Sequence, residues 1–377
     1  MGGRPNEASR GVFLDYVVVA KGVAIAFVVW GHAVDQILNA EAYEHVRALN
    51  LWLQTVIYSF HMPLFFALSG LLAGLPKGDG RQADSYGSML KKRSLRLLLP
   101  YLVVSLIQVP ARAMGRDHIS LSDLPGAVLT ILYEPSVQLW FVYALFIMFA
   151  ILPLLEWVAG RKAWLVVLML LAGSALSSYV PFSYCEVRTV LVNTIYFFLG
   201  VLLGRRHGRG DGWDGVRRYF WLSVAAFAVL ANVRFMTRMG VIDIPQGPVR
   251  SLITCAAGTA GLLVFIRLSQ LMSRHTFSGL ARCLRVLGHY SYDIYLFHYI
   301  IMGSINVLFM RRGLPYVALV AAMVLPAIVG CLLWGRMVLD RSKTLALICR
   351  GQRSRPTSAV AVEAAASQAN EGDDRRP

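Results

Sequence analysis

Lys21 and His32, both ionisable, stand in the first long apolar run of the sequence, LDYVVVAKGVAIAFVVWGHAVD. Ten residues separate them, so eleven steps of about 100° bring the two side chains within about 20° of the same face of an α-helix, about 16 Å apart along its axis. An imidazole can act as a general base and an ammonium can stabilise negative charge. Ionisable groups inside apolar spans are costly and therefore functional candidates. The alternative is that Lys21 extends to the membrane surface and His32 belongs to an interfacial cap.

Asp35 and His61 are the other candidates for a catalytic role. Asp35 follows His32 by three residues, within reach on the same helix face, where a carboxylate could hold the imidazole in one tautomer. A solvated loop carboxylate is the alternative. His61 lies in the outer half of the second apolar run, YSFHMPLFFALSGLLAG, at a depth comparable with that of His32. Pro63 can kink this helix, and Gly70 is small enough for close helix packing.

A basic cluster, MLKKRSLRLLLPY, opens the third apolar run and contains Lys92, Arg93 and Arg96. Its position suits a cytoplasmic anchor for a membrane span. Its chemistry equally suits a phosphate clamp, because guanidinium groups present planar donors to phosphate oxygens. The sequence contains neither a P-loop nor a GxGxxG motif, so a nucleoside triphosphatase has no support.

Composition excludes an ordinary soluble domain. Of 377 residues, 56% are hydrophobic and 15% charged, with a mean hydropathy of +0.56, whereas soluble domains carry about 25% charged residues. The net charge of +16 therefore indicates positive loops between membrane spans rather than nucleic-acid binding. Five scattered cysteines without a CxxC pair predict neither a disulfide framework nor a zinc site, and we expect no metal.

The fold predicted is an all-α polytopic membrane protein, a bundle of about ten transmembrane helices with both termini in the cytoplasm. Counting Lys and Arg in alternate loops gives 27 on the side of the N-terminus and 8 on the other, which predicts this orientation. We divide the chain into a cytoplasmic N-terminus (1–12), a membrane domain (13–340) and a largely disordered cytoplasmic tail (341–377). The ten predicted spans are Phe13–Val34, Leu51–Gly74, Leu95–Ala113, Leu139–Val158, Ala163–Val180, Val190–Gly204, Tyr219–Met236, Ser251–Leu271, Tyr292–Met310 and Pro315–Leu339.

Six motifs in this order resemble acyltransferase family 3, the integral-membrane O-acyltransferases. They are the Lys-x10-His pair, FHMPLFFALSG, KRSLRLLLPY, LWFVYALF, YFFLGVLLGRR and LGHYSYDIYLFH. KGVAIAFVVWGH followed by FHMPLFF looks most like the fucose 4-O-acetylase-related branch. One position departs from the family pattern: relatives often carry an acid three residues before the basic residue, where this chain has Val18. Asp15 lies six residues before Lys21, on a different helix face.

The resemblance implies a ten-helix bundle that takes acetyl from cytoplasmic acetyl-CoA, a co-substrate, with no permanently bound cofactor. The implied acceptor is a sugar hydroxyl of a lipid-linked or cell-surface glycan, and the implied location is the inner or plasma membrane, in contact with its lipids. The family's basic residue and histidine correspond to Lys21 and His32, and its arginine pair to Arg93 and Arg96.

On this reading, His32 is the general base or, as a second possibility, a transient acyl carrier. Asp35 orients it, Lys21 stabilises negative charge, and His61 shares proton transfer or binds the sugar. The expected donor-binding residues are Lys92, Arg93, Arg96, Tyr295 and His298. Two other classes stay open. A glycan transporter or flippase would also place charges inside a helical bundle, and a non-enzymatic subunit of a glycan-export complex would also have the spans.

Overall fold

Helices make up nearly all of the computed structural model, which describes residues 7–38, 40–75, 85–114, 124–135, 138–180, 184–207, 214–274, 278–309 and 313–352. No strand occurs within these ranges. The α-helices are, in chain order, α1 Glu7–Leu38, α2 Arg47–Gly74, α3 Tyr86–Met114, α4 Leu124–Thr130, α5 Trp140–Leu176, α6 Val187–His207, α7 Asp214–Arg218, α8 Phe220–Arg238, α9 Pro248–Arg274, α10 Ser278–His289, α11 Ser291–Phe309, α12 Tyr316–Leu333 and α13 Lys343–Arg350.

Within the described ranges, eight helical segments are long and apolar enough to cross a membrane. Each overlaps a predicted span, so the prediction of an all-α polytopic membrane protein is confirmed. The segments are Asp15–Leu38, Glu41–Gly74, Trp140–Gly160, Lys162–Tyr179, Val187–Arg206, Phe220–Arg238, Pro248–Ser273 and Tyr316–Leu339.

The other two predicted spans, the third and the ninth, coincide with α3 and α11. These helices are 29 and 19 residues long, and both carry polar residues. Several of those polar side chains face the interior of the bundle: Gln108 of α3 is 4% exposed, and Asp293 and His298 of α11 are 2% and 0% exposed. Because polar residues inside a membrane bundle are typically functional, the buried Asp293 and His298 direct attention to α11.

The fourth and fifth predicted spans form one element, α5, which is broken at Lys162. The backbone there is extended, with φ −154° and ψ 98°, so the chain changes direction between the two spans. The break lies next to Gly160 and Arg161, at the short basic loop that the charge count assigns to the cytoplasm. The structure and the charge pattern therefore agree on where the chain turns.

Close approach of α2 and α6 depends on glycine. A Cβ atom added to Gly70 would lie 1.9 Å from the carbonyl oxygen of Phe197, and one added to Gly200 would lie 2.0 Å from that of Ala67. Neither distance is compatible with a side chain, so the two backbones are in direct contact. Small residues at such contacts are typical of helix pairs in membranes.

Helix α1 occupies the centre of the bundle, where it contacts α2, α9, α10, α11 and α12. Its Val19, Ala20, Ala24 and Ala33 have no exposed surface. This position surrounds Lys21 and His32 with other helices, so both residues face protein rather than only lipid.

Two ends of the bundle can be distinguished by their polar contacts. At one, the inner end, Arg285 of α10 donates to both carboxylate oxygens of Asp15 at 2.7 and 2.9 Å, which raises the pKa of Arg285. At the other, the outer end, Tyr316 donates to Asn50 at 2.6 Å. The positive-inside count predicts that the inner end faces the cytoplasm.

The segment predicted as a largely disordered tail begins with an ordered helix. Helix α13 starts at Lys343, where the Ser342 hydroxyl accepts a hydrogen bond from the backbone N–H of Leu345, and ends at Gly351 with φ +66°. It packs against α3 and buries Arg350, which is 5% exposed. The structure therefore describes a helix over residues 343–350 of this segment, and residues 353–377 lie outside the described residues.

Candidate active site

A cavity of about 480 Å³ lies at the inner end of the bundle; we call it the inner cavity. Its size falls within the range of small-molecule and cofactor sites. Four cationic side chains line it, together with one described carboxylate, that of Asp293. The cationic residues are Lys21, Arg93, Arg96 and Arg350.

The inner cavity thus brings together Lys21 of α1, both predicted arginines of α3, and Tyr295 of α11. Two other predicted donor-binding residues, Lys92 and His298, are not among its lining residues. Lys92 is exposed on α3, whereas His298 is fully buried elsewhere.

The remaining wall of the inner cavity is mostly apolar and aromatic. Phe65 of α2 and Phe141 of α5 line it, and their ring centroids are 5.8 Å apart. Phe149 lies about two helical turns after Phe141 on α5. The guanidinium carbon of Arg93 lies 3.7 Å from the centre of the Phe149 ring, which is a cation–π contact. The cavity therefore joins a cationic region to an apolar channel, a pairing that suits a ligand with phosphates at one end and an uncharged arm.

Arg350 reaches the inner cavity already engaged by two carboxylates. Its guanidinium donates to Asp293 at 2.7 Å and to Asp340 at 2.6 Å. Burial alone would lower the pKa of Arg350, but these two carboxylates hold it above its ordinary value. Among the groups that line the cavity, Arg350 consequently balances the charge of Asp293, and the excess positive charge comes from Lys21, Arg93 and Arg96.

Three histidines from three helices form a second group, which we call the histidine cluster: His32 of α1, His61 of α2 and His298 of α11. The rings of His32 and His298 have centroids 5.3 Å apart. The Tyr58 ring is 4.9 Å from that of His61, and the Tyr58 hydroxyl is 3.4 Å from His32 Nδ1. His298 was expected with the donor-binding residues, but the structure places it beside His32 instead.

Backbone carbonyls fix the tautomers of His61 and His298. His61 Nδ1 is 2.7 Å from the Ile57 oxygen, and His298 Nδ1 is 2.7 Å from the Ile294 oxygen. A carbonyl only accepts hydrogen bonds, so each Nδ1 carries the proton and each Nε2 keeps its lone pair. In the described part of the chain, His298 Nε2 is buried without a hydrogen-bond partner, and is therefore available to a ligand proton.

The inner cavity ends about one helical turn from the histidine cluster. Tyr295, which lines the cavity, precedes His298 by three residues, and Phe65 follows His61 by four. At 1.5 Å per residue, these spacings correspond to about 4.5 and 6 Å. Along α1 the distance from Lys21 to His32 is longer, about 16 Å, because Lys21 lies nearer the inner end of the bundle.

Asp35 is paired differently from the sequence expectation. Its carboxylate accepts a hydrogen bond from the side-chain amide of Gln54, and the polar group in contact with His32 Nδ1 is the Tyr58 hydroxyl. Asp35 is also exposed at the outer end. The structure thus shows Tyr58, which the sequence analysis did not single out, in the place assigned to Asp35.

Among the described residues, no three His, Cys, Asp or Glu side chains come together as a candidate metal site. The residues that sequence reasoning missed are Tyr58, Asp293 and Arg350. A signal existed for Asp293, an acid at the start of a predicted span. None existed for Arg350, which is 57 residues from its partner Asp293 in a segment predicted to be disordered.

Comparison with known proteins gives one family and two similar relatives. The acyltransferase-domain model of acyltransferase family 3 matches residues 14–336. The chain is 27% identical over 222 residues to nodulation protein NolL of Mesorhizobium japonicum, an alignment that covers 58% of this chain and 54% of that protein. It is 26% identical over 200 residues to NolL of Sinorhizobium fredii, covering 52% and 50%. The chain therefore spans about half the length of these relatives. No solved structure is detectably similar.

Proposed function

This chain belongs to acyltransferase family 3, and from that premise we propose that it is an O-acetyltransferase of the inner membrane. It takes an acetyl group from cytoplasmic acetyl-CoA and transfers it to a sugar hydroxyl of a lipid-linked or cell-surface glycan. The observation that carries this proposal is the position of two sites in one bundle. A cationic, partly aromatic cavity lies at the inner end, and a histidine cluster lies about one helical turn beyond it, toward the outer end.

The inner cavity suits coenzyme A by charge and by shape. Arg93 and Arg96 are available for the phosphates, since guanidinium–phosphate hydrogen bonds are charge-assisted and strong. Lys21 adds a third positive charge, and its place in the cavity assigns it to the donor rather than to the reacting carbonyl, about 16 Å further along α1. The pantetheine arm would follow the aromatic wall of Phe65 and Phe141 and deliver the thioester to the histidines.

At the cluster, His32 is the proposed general base. It removes the proton from the sugar hydroxyl as the oxygen attacks the thioester carbonyl carbon, forming a tetrahedral intermediate. The carbon–sulfur bond then breaks, the carbonyl reforms, and the imidazolium returns its proton to the coenzyme A thiolate. The products are the acetyl ester and free coenzyme A, and the proton count balances.

The other cluster residues have supporting roles in this scheme. Tyr58 contacts His32 Nδ1 and so is placed to orient its ring as a positioning residue. The Nε2 atoms of His61 and His298 can accept hydrogen bonds from acceptor hydroxyls, because their Nδ1 atoms are committed to backbone carbonyls. His298 is thereby assigned to the acceptor side of the site.

Mass spectrometry of surface glycans tests the proposal. Cells lacking the gene are expected to lose one acetyl group per modified unit, and the wild-type gene should restore it. An identical acetylation pattern in the presence and absence of the gene would contradict the function. Purified protein that consumes no acetyl-CoA in the presence of a membrane glycan extract from those cells would contradict the choice of donor.

A further inference from the structure

Three arginines at the outer end surround a second, smaller cavity, which we call the arginine cavity. Its volume is about 70 Å³, and Arg234 and Arg238 of α8 line it together with Arg250 of α9. The outer loops hold only 8 of the 37 Lys and Arg residues in the sequence. Two of these eight, Arg238 and Arg250, lie beside Arg234, which is within a span. A role in anchoring helices at the membrane surface does not explain why the three side chains meet.

The arginine cavity carries an excess of positive charge, since three guanidinium groups line it and the carboxylate linked to it, Asp35, reaches Arg238 through Gln54. Its other lining residues are threonines and isoleucines, and no acidic side chain lines it among the described residues. In the part of the chain that the structure describes, the guanidinium of Arg250 makes no hydrogen bond or ion pair with a protein group, whereas that of Arg234 donates to the Ser59 hydroxyl. Three guanidiniums at one small cavity repel one another unless an anion joins them.

The size of the cavity suits a single oxyanion group. One water molecule needs about 10–15 Å³ of such volume, so 70 Å³ holds about five atoms of that size. A phosphate has five non-hydrogen atoms and a carboxylate three. The hydroxyls of Thr237 and Thr254 in the wall donate to the backbone carbonyls of Val233 and Arg250, so the donors for such a ligand are the guanidinium groups.

Hydrogen bonds connect the arginine cavity to Gln54 of α2, on the helix that also carries Tyr58. Arg238 donates to Gln54 at 2.6 Å, and Gln54 donates in turn to Asp35. Tyr58, which contacts His32, lies one turn further along α2 than Gln54. Arg238 is therefore about 6 Å along α2 from the level of Tyr58, a separation comparable with the width of one pyranose ring, whereas Arg234, which donates to Ser59, lies at the level of Tyr58.

We propose that the arginine cavity binds an oxyanion of the acceptor, a carboxylate or a phosphate, and that this contact holds a neighbouring sugar hydroxyl at His32. The acceptor is then an acidic glycan or a glycan linked to a lipid phosphate. The identification of the bound anion as part of an acetyl acceptor rests on the proposed function. The anion site itself stands on the geometry of the three arginines.

Binding measured without acetyl-CoA tests the site directly. The full-length protein in detergent is titrated at low salt with methyl glucuronide against methyl glucoside, and with farnesyl diphosphate against farnesol. We expect the charged member of at least one pair to bind ten-fold or more tightly than its neutral analogue, and the pair that responds identifies carboxylate or phosphate as the group recognised. Equal affinity within both pairs would overturn the proposal.

Matched arginine variants locate the binding. Arg250→Gln should weaken the charged probe ten-fold or more, since charge-assisted hydrogen bonds are among the stronger ones. Arg47→Gln is the control, since Arg47 is an exposed outer-end arginine whose guanidinium is paired with Glu44 at 3.1 Å, and it should leave the affinity unchanged. If Arg93→Ala abolishes probe binding and Arg250→Gln does not, the probe occupies the inner cavity and the proposal is wrong.

The two proposals fail separately. Anion binding that depends on Arg250, in a protein that transfers no acetyl group, would refute the proposed function and leave the anion site standing. Acetyl transfer in a protein whose anion binding is indifferent to Arg250→Gln would refute this inference alone.

Discussion

At the scale of single residues, the donor side of the site depends on charge placed beside an aromatic wall. Arg93 and Arg96 stand one helical turn apart on α3, and both line the inner cavity. Lys91, on the same helix, is exposed and does not line it. An anchoring role would be shared by Lys91, Arg93 and Arg96, whereas a role in binding donor phosphates is expected only of the two arginines. The difference in their positions therefore allows the two roles to be tested separately.

Replacing Arg93 or Arg96 by alanine should raise the KM for acetyl-CoA about ten-fold or more, since each hydrogen bond to a charged group contributes about 1.5–3 kcal/mol. The change in kcat should be smaller. Steady-state kinetics on purified protein measures both, with Lys91→Ala as the control. An equal KM for all three variants and the wild type would leave the arginines with an anchoring role only.

Part of the residue-level chemistry could be predicted from sequence and part could not. The shared face of Lys21 and His32 follows from helical periodicity, and both residues do lie in the interior of the bundle. The proximity of His298 to His32 could not be predicted, because it depends on how α11 is placed against α1. The partner of Asp35 could not be predicted either, since Gln54 belongs to another helix.

At the scale of elements, the packing of α2 against α6 determines where His61 and the cavity wall stand. Gly70→Ala should destabilise the protein by about 1–3 kcal/mol, because its Cβ would overlap the Phe197 carbonyl and force the helices apart. Gly303→Ala in α11 is the control, since a Cβ there meets no atom within 4 Å, and alanine favours a helix by about 1 kcal/mol. Thermal unfolding in detergent measures both. Equal melting temperatures for the two variants would contradict the close contact.

Helix α13 is held to the bundle by the buried pair of Arg350 and Asp293. Arg350→Ala should cost about 3–5 kcal/mol, because it leaves Asp293 buried without its partner. Adding Asp293→Asn should recover part of this loss, so the two substitutions should not be additive. Lys343→Ala on the exposed side of α13 should be neutral. Strict additivity in thermal unfolding would show that the pair is not formed.

The helix boundaries show which helices can be located from the hydropathy of the sequence alone. Hydropathy located seven of the eight spans to within four residues at each end, and the second to its end at Gly74, although that segment begins ten residues before Leu51. Hydropathy also predicted the span that coincides with α11. It gave no signal for α13, because a short amphipathic helix is stabilised by what it packs against, which the local sequence does not contain.

At the scale of the whole molecule, the account requires the inner cavity to open to the cytoplasm and the arginine cavity to the opposite side. Single-cysteine variants test this in a background where all five native cysteines are serine. Val241→Cys, in the exposed turn after α8, should react with a membrane-impermeant maleimide in intact cells. Lys343→Cys should react only after the membrane is permeabilised. The reverse pattern would invert the orientation and remove acetyl-CoA as a cytoplasmic donor at the inner cavity.

The distance between the inner cavity and the histidine cluster allows the role of His32 in catalysis to be tested separately from donor binding. His32 is about 16 Å along α1 from Lys21 and does not line the inner cavity. A substitution at His32 should therefore leave donor binding intact, so that binding and chemistry can be separated in a single protein.

The most direct test of the central claim is a paired measurement on purified wild type and His32→Ala: the dissociation constant for acetyl-CoA, and the rate of acetyl transfer to acceptor glycan. We predict equal dissociation constants and a loss of at least about 100-fold in transfer, the lower range of a general base contribution. Transfer by His32→Ala at the wild-type rate, with the protein folded and donor bound, would contradict the account.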